Sequence, residues 1–520
     1  MSVNNDYNKA IHTHNRKLSI VYKSILVGIC ASLITVLYRL VLTKAEAVSL
    51  LIYSYVGQYR SLIFPLFIIL GVMGWLIGLL VKKYPMISSS GIPQVKGQLM
   101  GYFQNPWIST LVAKFIGGAV SILAGLSVGR EGPSIQLGAT TAHGLGNRLA
   151  ATRTERKILI ASGASAGLAT AFNAPLAGVM FSLEEIFKYF SPTILLATIT
   201  SAVTADFIST IFFGLKPVFN FTLNDTIPLK LYWLIALLGI LVGLSGAVYN
   251  FTLLKTIALY KKIFSVNSHF KPVIPFLIAG IMGLTFPIVL GGGSHIIDGL
   301  SSSKSMQWFV LVLLIKFLFS MISFGSGAPG GIFFPLLVIG ALIGGLFGNA
   351  AIIAVGIDPD LFYNFVVLAM AGFFASIVKA PITGVVLLTE MTGSFNHLLP
   401  LTTISIIAYV TADVLKSKPI YESLLERQLN DSIIGDDEND NSRKITLEIV
   451  VHHGSMIEDH HLKDIGLPLG SLVIAIRRHG KDITPNGMTK IKAGDYLVVL
   501  TSVSKEPSVR EMLKKMTESY

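Results

Sequence analysis

The sequence is short of charge and of cysteine. Only 13% of its 520 residues are Asp, Glu, Lys or Arg, against about 25% in an ordinary soluble chain. That composition excludes a typical water-soluble globular protein. The single cysteine, Cys30, excludes an internal disulfide and is expected to be a buried, inert thiol. No arginine-rich strip interleaved with aromatics is present, so nucleic acid is not an expected partner. No TVGYG-like run is present either, and a potassium filter would need such carbonyl-lined backbone. The adjacent histidines His452-His453 and His460-His461 have no cysteine beside them. On a strand, neighbouring side chains face opposite sides, so no metal site is expected, and no cofactor.

What is abundant is apolar sequence. Hydrophobic residues make up 52% of the chain, and there are 48 glycines. Runs at 19–42, 62–81, 231–254 and 308–324 approach or exceed the ~20 residues that cross a bilayer, and small residues suit close helix packing in lipid. The first run is longer than the ~7–15 residues of a signal-peptide core, so it reads as a retained span. The formal net charge is +12. Lys9, Arg16 and Lys17 precede the first span, and segments 148–157, 261–264 and 416–419 are basic as well. Basic loops stay on the cytoplasmic side, which predicts a multi-pass protein in a cell membrane with both termini inside and the lipid bilayer as a partner.

Composition divides the chain into a basic N-terminal tail (1–18), a membrane domain (19–429), an acidic linker (430–444), a small domain (445–502) and a charged tail (503–520). In 445–502, ITLEIVV and SLVIAIRR alternate as half-buried strands do, and the tail is expected to form a short charged helix. The membrane domain repeats. Gly129, Pro133 and Gly138 share their spacing with Gly331, Pro335 and Gly340; APLAGV (174–179) is matched by APITGV (380–385); Glu184 and Glu390 each lie nine residues past the proline of that motif. Duplicated halves with Gly/Pro-interrupted apolar segments mark transporters, with the site at the interruptions.

Three interruptions share one design: SSGIP (89–93), GREGP (129–133) and GIFFP (331–335). Glycine permits a sharp turn, and proline suits the first helical turn. Each therefore delivers a helix N-terminus, whose free N–H groups and positive dipole end suit an anion. A charge at the bilayer centre costs roughly 2.5–3.5 kcal/mol, and one helix N-terminus returns about 0.3–1 kcal/mol, up to ~2 when buried. Several termini aimed at one point offset the cost. Glu131 falls at such a start, where a carboxylate competes with the ion and leaves when protonated. Glu184 and Glu185 end an apolar helix, with one of them expected at a solvated end. Glu390 is expected to be structural, and Lys114, Lys316 and Lys379 to snorkel or to pair with helix ends.

These segments, with AFNAPLAGVMFSLEE (171–185), GAPGGIFFP (327–335) and KPIYESLL (418–425), resemble the CLC chloride channels and proton-coupled chloride transporters, in order, over about residues 20–425. The resemblance implies an all-α polytopic fold of tilted and broken helices in two inverted halves, forming a homodimer with one anion pathway per subunit. Carried over by position, it implies chloride binding by Ser90, Gly91, Ile92, Arg130, Glu131, Gly132, Ile332, Phe333 and Tyr421. Glu131 corresponds to the gate and Glu185 to the inner proton-transfer residue of exchangers. Chloride and protons are then the transported partners in antiport, with a passive voltage- or ligand-gated chloride channel as the alternative. The chain departs from the family's common GIPE: it reads GIPQVKG, with Gln94 and Lys96 in place of acids, and Lys96 near the inner proton route bears on coupling. Residues 445–502 resemble the RCK-C (TrkA-C) domain, which implies a small cytoplasmic α/β regulatory module. Some such domains bind small ligands such as a cyclic dinucleotide, and a pure dimerisation role stands equally open. A bacterial plasma membrane is the expected location.

Overall fold

The computed structural model describes residues 2–188, 190–215, 218–219, 227–435, 444–467, 469–478, 481–502 and 505–517. The chain divides into two units: residues 1–96 with 105–424, and residues 97–104 with 425–520.

The first unit is helical and built twice. Its first half runs α1 (Ser2–Gln58), α2 (Ile63–Lys83), α3 (Ile92–Met100, entering the second unit at Gly97), α4 (Trp107–Leu123), α5 (Glu131–Leu149), α6 (Arg153–Phe172), α7 (Pro175–Phe181) and α8 (Pro192–Phe213). The second runs α9 (Tyr232–Ile263), α10 (Val273–Thr285), α11 (Ser294–Asp298), α12 (Met306–Gly325), α13 (Phe333–Val355), α14 (Phe362–Val378), α15 (Pro381–Thr392) and α16 (Leu398–Val414). Packing repeats with the order: α5 lies on α6 and α6 on α8, as α13 lies on α14 and α14 on α16. Among the described residues nine helices are long and apolar enough to cross a membrane, including Lys17–Gln58, Arg60–Lys83, Leu229–Ile263 and Met306–Gly325. These take in all four apolar runs seen in the sequence. Helices α5 and α6 are richer in Gly, Ser, Thr and Ala, and are buried along most of their length. They touch backbone to backbone: a methyl group on Gly167 would lie 2.9 Å from the Ser134 carbonyl carbon. Small residues thus replace hydropathy where a helix is surrounded by protein instead of lipid.

α17 (Ile420–Gly435) starts with the KPIYESLL motif. It continues to Gly435, so residues 430–435 of the expected linker are helical; 436–443 lie outside the described residues. The second unit carries a four-stranded antiparallel sheet, β1 (Lys444–Val450), β2 (Leu472–Arg478), β3 (Lys481–Ile483) and β4 (Tyr496–Ser502), in the order β1-β4-β2-β3. A final helix, α18 (Glu506–Thr517), lies in the charged tail, and it packs onto the domain. Val509 and Leu513 are buried in the same core as Leu447, Ile476 and Val499. They are four residues apart, one apolar stripe on an otherwise charged helix. Tyr102, from the turn after α3, joins that core, and its hydroxyl accepts a hydrogen bond from Arg510 Nη2 at 3.0 Å.

Candidate anion and proton site

The loop before α3 has its carbonyls fastened one after another. Gln136 Nε2 donates to the Met86 carbonyl at 2.6 Å. The Lys114 ammonium donates to Ile87 O at 2.9 Å and Ser89 O at 2.6 Å, and Gln94 Nε2 donates to Ser88 O at 2.9 Å. Four successive negative dipole ends are thereby neutralised, and the donors at the start of α3 are left to define the local field. Gln94 does what a glutamate cannot, since a carboxylate has no hydrogen to donate. Lys114 is fully buried; it does not snorkel. Its twin Lys316, 202 residues later, donates to Val289 O at 2.9 Å and Gly291 O at 2.8 Å. Donor and both acceptors are displaced by the same 202 residues. Lys379 likewise bonds the Tyr409 carbonyl, at 2.9 Å.

The three interrupted segments begin helices as expected, α3 at Ile92, α5 at Glu131 and α13 at Phe333, and they converge. Gly129 and Gly331 exchange backbone hydrogen bonds of 2.7 and 2.8 Å in an isolated antiparallel bridge. Repeat-related residues that pair with each other lie on the local twofold axis. A methyl group at Gly132 would sit 2.9 Å from Ser90 Cβ and 2.9 Å from the Ser90 carbonyl oxygen, inside van der Waals contact. Glycine there lets the start of α5 back directly onto the serine. Ser90 is buried, and its Oγ accepts from the Ile92 N–H at 3.3 Å. Ile92 thus points its N–H at that hydroxyl, and the hydroxyl hydrogen of Ser90 is available to an anion.

Glu131 is 1% exposed, and one carboxylate oxygen has no hydrogen-bond partner. The carboxylate also faces the Phe334 backbone amide at the start of α13. A carboxylate from one half therefore occupies the helix start of the other. The neighbouring Arg130 approaches with Nε at 3.7 Å, beyond hydrogen-bond range. Phe333 is buried against Phe172, Phe181 and Phe374, and Phe181 in turn meets Tyr421 edge-on at 6.3 Å. The Tyr421 hydroxyl is buried without a partner and lies within electrostatic reach of both Glu131 and Glu185. It neighbours both acids. Glu185 sits in a π-helical turn, Ser182–Phe187, and bonds the Lys96 ammonium at 2.9 Å, with both side chains shielded from solvent. Such widened turns gather at functional sites. Gly91, the remaining expected binding residue, adopts φ +89° at the turn into α3.

Glu184 is not at a solvated helix end. Its carboxylate accepts from the Ile382 and Thr383 N–H groups, at 3.2 and 2.7 Å, at the start of α15. Glu390 does the same for Leu176 and Ala177, at 3.0 and 2.8 Å, at the start of α7. Each half caps a helix of the other. Of the four histidines, the His453, His460 and His461 rings face different acceptors: the Glu458 carboxylate, Glu458 O and Met488 O.

These features define a polytopic membrane protein with a buried, donor-lined site where its two halves meet. A family profile described as voltage gated chloride channel matches residues 73–413, and one described as TrkA-C domain matches 446–514. The chain belongs to the voltage gated chloride channel family and carries a TrkA-C domain. It is 32% identical over 433 residues to the H(+)/Cl(-) exchange transporter ClcA of Klebsiella pneumoniae, covering 81% of this chain and 91% of that one. To the protein of the same name from Vibrio cholerae it is 33% identical over 434 residues, covering 81% and 92%. Among solved structures, a slow cyanobacterial Cl-/H+ antiporter superposes with TM-score 0.75 at 30% identity, covering 79% of this chain and 98% of that one. A CLC-type fluoride/proton antiporter shares the fold, with TM-score 0.65 and 23% identity over 78% and 97% of the two chains.

Proposed function

We propose that this protein exchanges chloride for protons across a membrane. The observation that carries the reading is the buried Glu131 carboxylate at the meeting point of two helix starts, with one oxygen unpartnered. As an anion it fills a place suited to chloride. Once protonated it loses the attraction of the helix dipoles and gives that place up, so one side chain is both plug and proton carrier. Ser90 and Tyr421 contribute hydroxyl donors, and the segments around Gly91, Ile92, Arg130, Gly132, Ile332 and Phe333 contribute helix starts. Glu185, the second acid neighbouring Tyr421, exchanges protons with the cytoplasmic side. The process is translocation and requires no cofactor.

The reading includes a homodimer with one pathway per subunit, in a bacterial plasma membrane with both termini cytoplasmic. In support of that orientation, Lys23 of α1 pairs at 2.6 Å with Glu155, within the basic segment 148–157. The C-terminal domain is read as a cytoplasmic regulatory module that dimerises or takes a small ligand such as a cyclic dinucleotide. The test is flux in liposomes. A chloride gradient imposed at equal pH is expected to drive protons uphill, and Glu185→Gln to stop the protons while chloride still flows. Chloride flux with no proton movement in the unmodified protein would make it a passive channel.

A further inference from the structure

The departure at Lys96 has a physical consequence. Lys96 lies four residues after Ile92 in α3, about 6 Å further along the helix axis, on the helix that begins beside Ser90. Its ammonium holds Glu185 at 2.9 Å, and the two side chains are 0% and 1% exposed. The other charged groups facing this pair are Lys188, from the segment after the π-turn, Glu422, next to Tyr421 on α17, and the adjacent Glu184, whose carboxylate is held by the N–H groups at the start of α15. Lys188 and Glu422 bind each other at 3.1 Å and are partly solvated. The cluster is therefore two ion pairs and a carboxylate held by backbone amides. When Glu185 takes up a proton, Lys188 and Glu422 still balance each other. The uncompensated charge falls on Lys96, which is buried, and a buried ammonium without an anion is strongly destabilising.

We infer that Lys96 links the two transported ions: a proton on Glu185 frees the Lys96 ammonium to draw chloride into the pathway at Ser90 and Tyr421, and loss of that proton reclaims it. By linkage, bound chloride must favour the proton on Glu185 equally. The inference rests on the reading of Glu185 as the inner proton residue. Lys96 acts here as a positioning residue through its charge and does not touch chloride itself.

The test is chloride binding by calorimetry on the full-length protein in detergent, in a Glu131→Gln background that removes the outer titrating carboxylate. In that background chloride affinity is expected to tighten about tenfold from pH 8 to pH 5, within the usual range of coupling between sites. Adding Lys96→Gln keeps a hydrogen-bond donor against Glu185 and removes the charge; the pH effect is expected to fall to about twofold or less. Adding Lys96→Arg is expected to preserve it, and a loss of packing alone would not distinguish these two variants. Retention of the tenfold effect with Lys96→Gln overturns the link, as does a background protein with no pH effect. Retention of it with Glu185→Gln overturns the reading of Glu185 instead.

Discussion

The matched lysines offer an internal control that few sites provide. Lys114→Met deletes the ammonium shared by Ile87 O and Ser89 O at 2.9 and 2.6 Å. Charged hydrogen bonds contribute about 1.5–3 kcal/mol each, and a stranded buried acceptor costs about 1–3 kcal/mol. Against this, a buried ammonium no longer has to be desolvated, which offsets several kcal/mol. The net loss of stability is therefore about 1–3 kcal/mol. Lys316→Met deletes an equivalent pair of bonds, of 2.9 and 2.8 Å, and its stability loss should match to within about 1 kcal/mol. Only Lys114, however, fastens the loop that presents Ser90. With Ile87 O released and Ser89 O left to the Gly330 N–H at 3.0 Å, that loop turns a negative dipole end toward the anion. Chloride binding should weaken about 10–100-fold, or about 1.4–2.8 kcal/mol; in Lys316→Met it should change less than about threefold. Calorimetric chloride titration and thermal melts on the same detergent-solubilised samples give both numbers. Equal loss of chloride affinity in the two variants, or none in Lys114→Met, would refute the argument.

Other perturbations follow from the same geometry. Gly132→Ala forces a methyl group to within 2.9 Å of Ser90; thermal melts should show about 1–3 kcal/mol of overpacking, and titration a weaker chloride affinity. Glu390→Ala strips the Leu176 and Ala177 amides of their acceptor; it should lower stability by about 1–2 kcal/mol without changing the proton-to-chloride ratio measured in liposomes. In the C-terminal domain, the fully buried Asp495 accepts from Arg478 at 2.7 and 2.6 Å and from the Lys492 N–H at 2.9 Å. Asp495→Ala should cost about 3 kcal/mol and expose that domain to limited proteolysis. The Gly454 N–H and the His453 ring hold the Glu458 carboxyl below its ordinary range. Its contribution is thus present above the unfolded value of ~4.3 and is lost as pH falls through the lower folded one. The protection of the Gly454 amide against exchange, relative to its intrinsic rate at each pH, should fall on acidification, and Glu458→Gln should remove that pH dependence.

The helix starts were legible because their grammar is local: glycine turns the chain and proline enters the helix within five residues, so α3, α5 and α13 begin inside the quoted segments. The duplication was legible because spacing survives where side chains change, as Glu131 against Phe333 illustrates. Partners were not. Nothing near Lys114 in the sequence says which carbonyls lack donors, and the partners of Lys316 lie about 25 residues upstream. The 202-residue interval between the two lysines was the available signal. Glu184 ended an apolar helix and Glu390 read as structural, but nothing local said that each caps a helix about 200 residues away, a relation created only when the halves pack. The charged C-terminal helix concealed its apolar stripe because Val509 and Leu513 are few among polar neighbours.

The central claim is that a single carboxylate is both the plug of the anion site and the carrier of the proton. Glu131→Gln tests it most directly, with chloride and proton fluxes recorded from the same vesicles under a chloride gradient at equal initial pH. Chloride should flow through the variant while the uphill proton movement expected of the unmodified protein disappears. Proton movement that persists in step with chloride would contradict it.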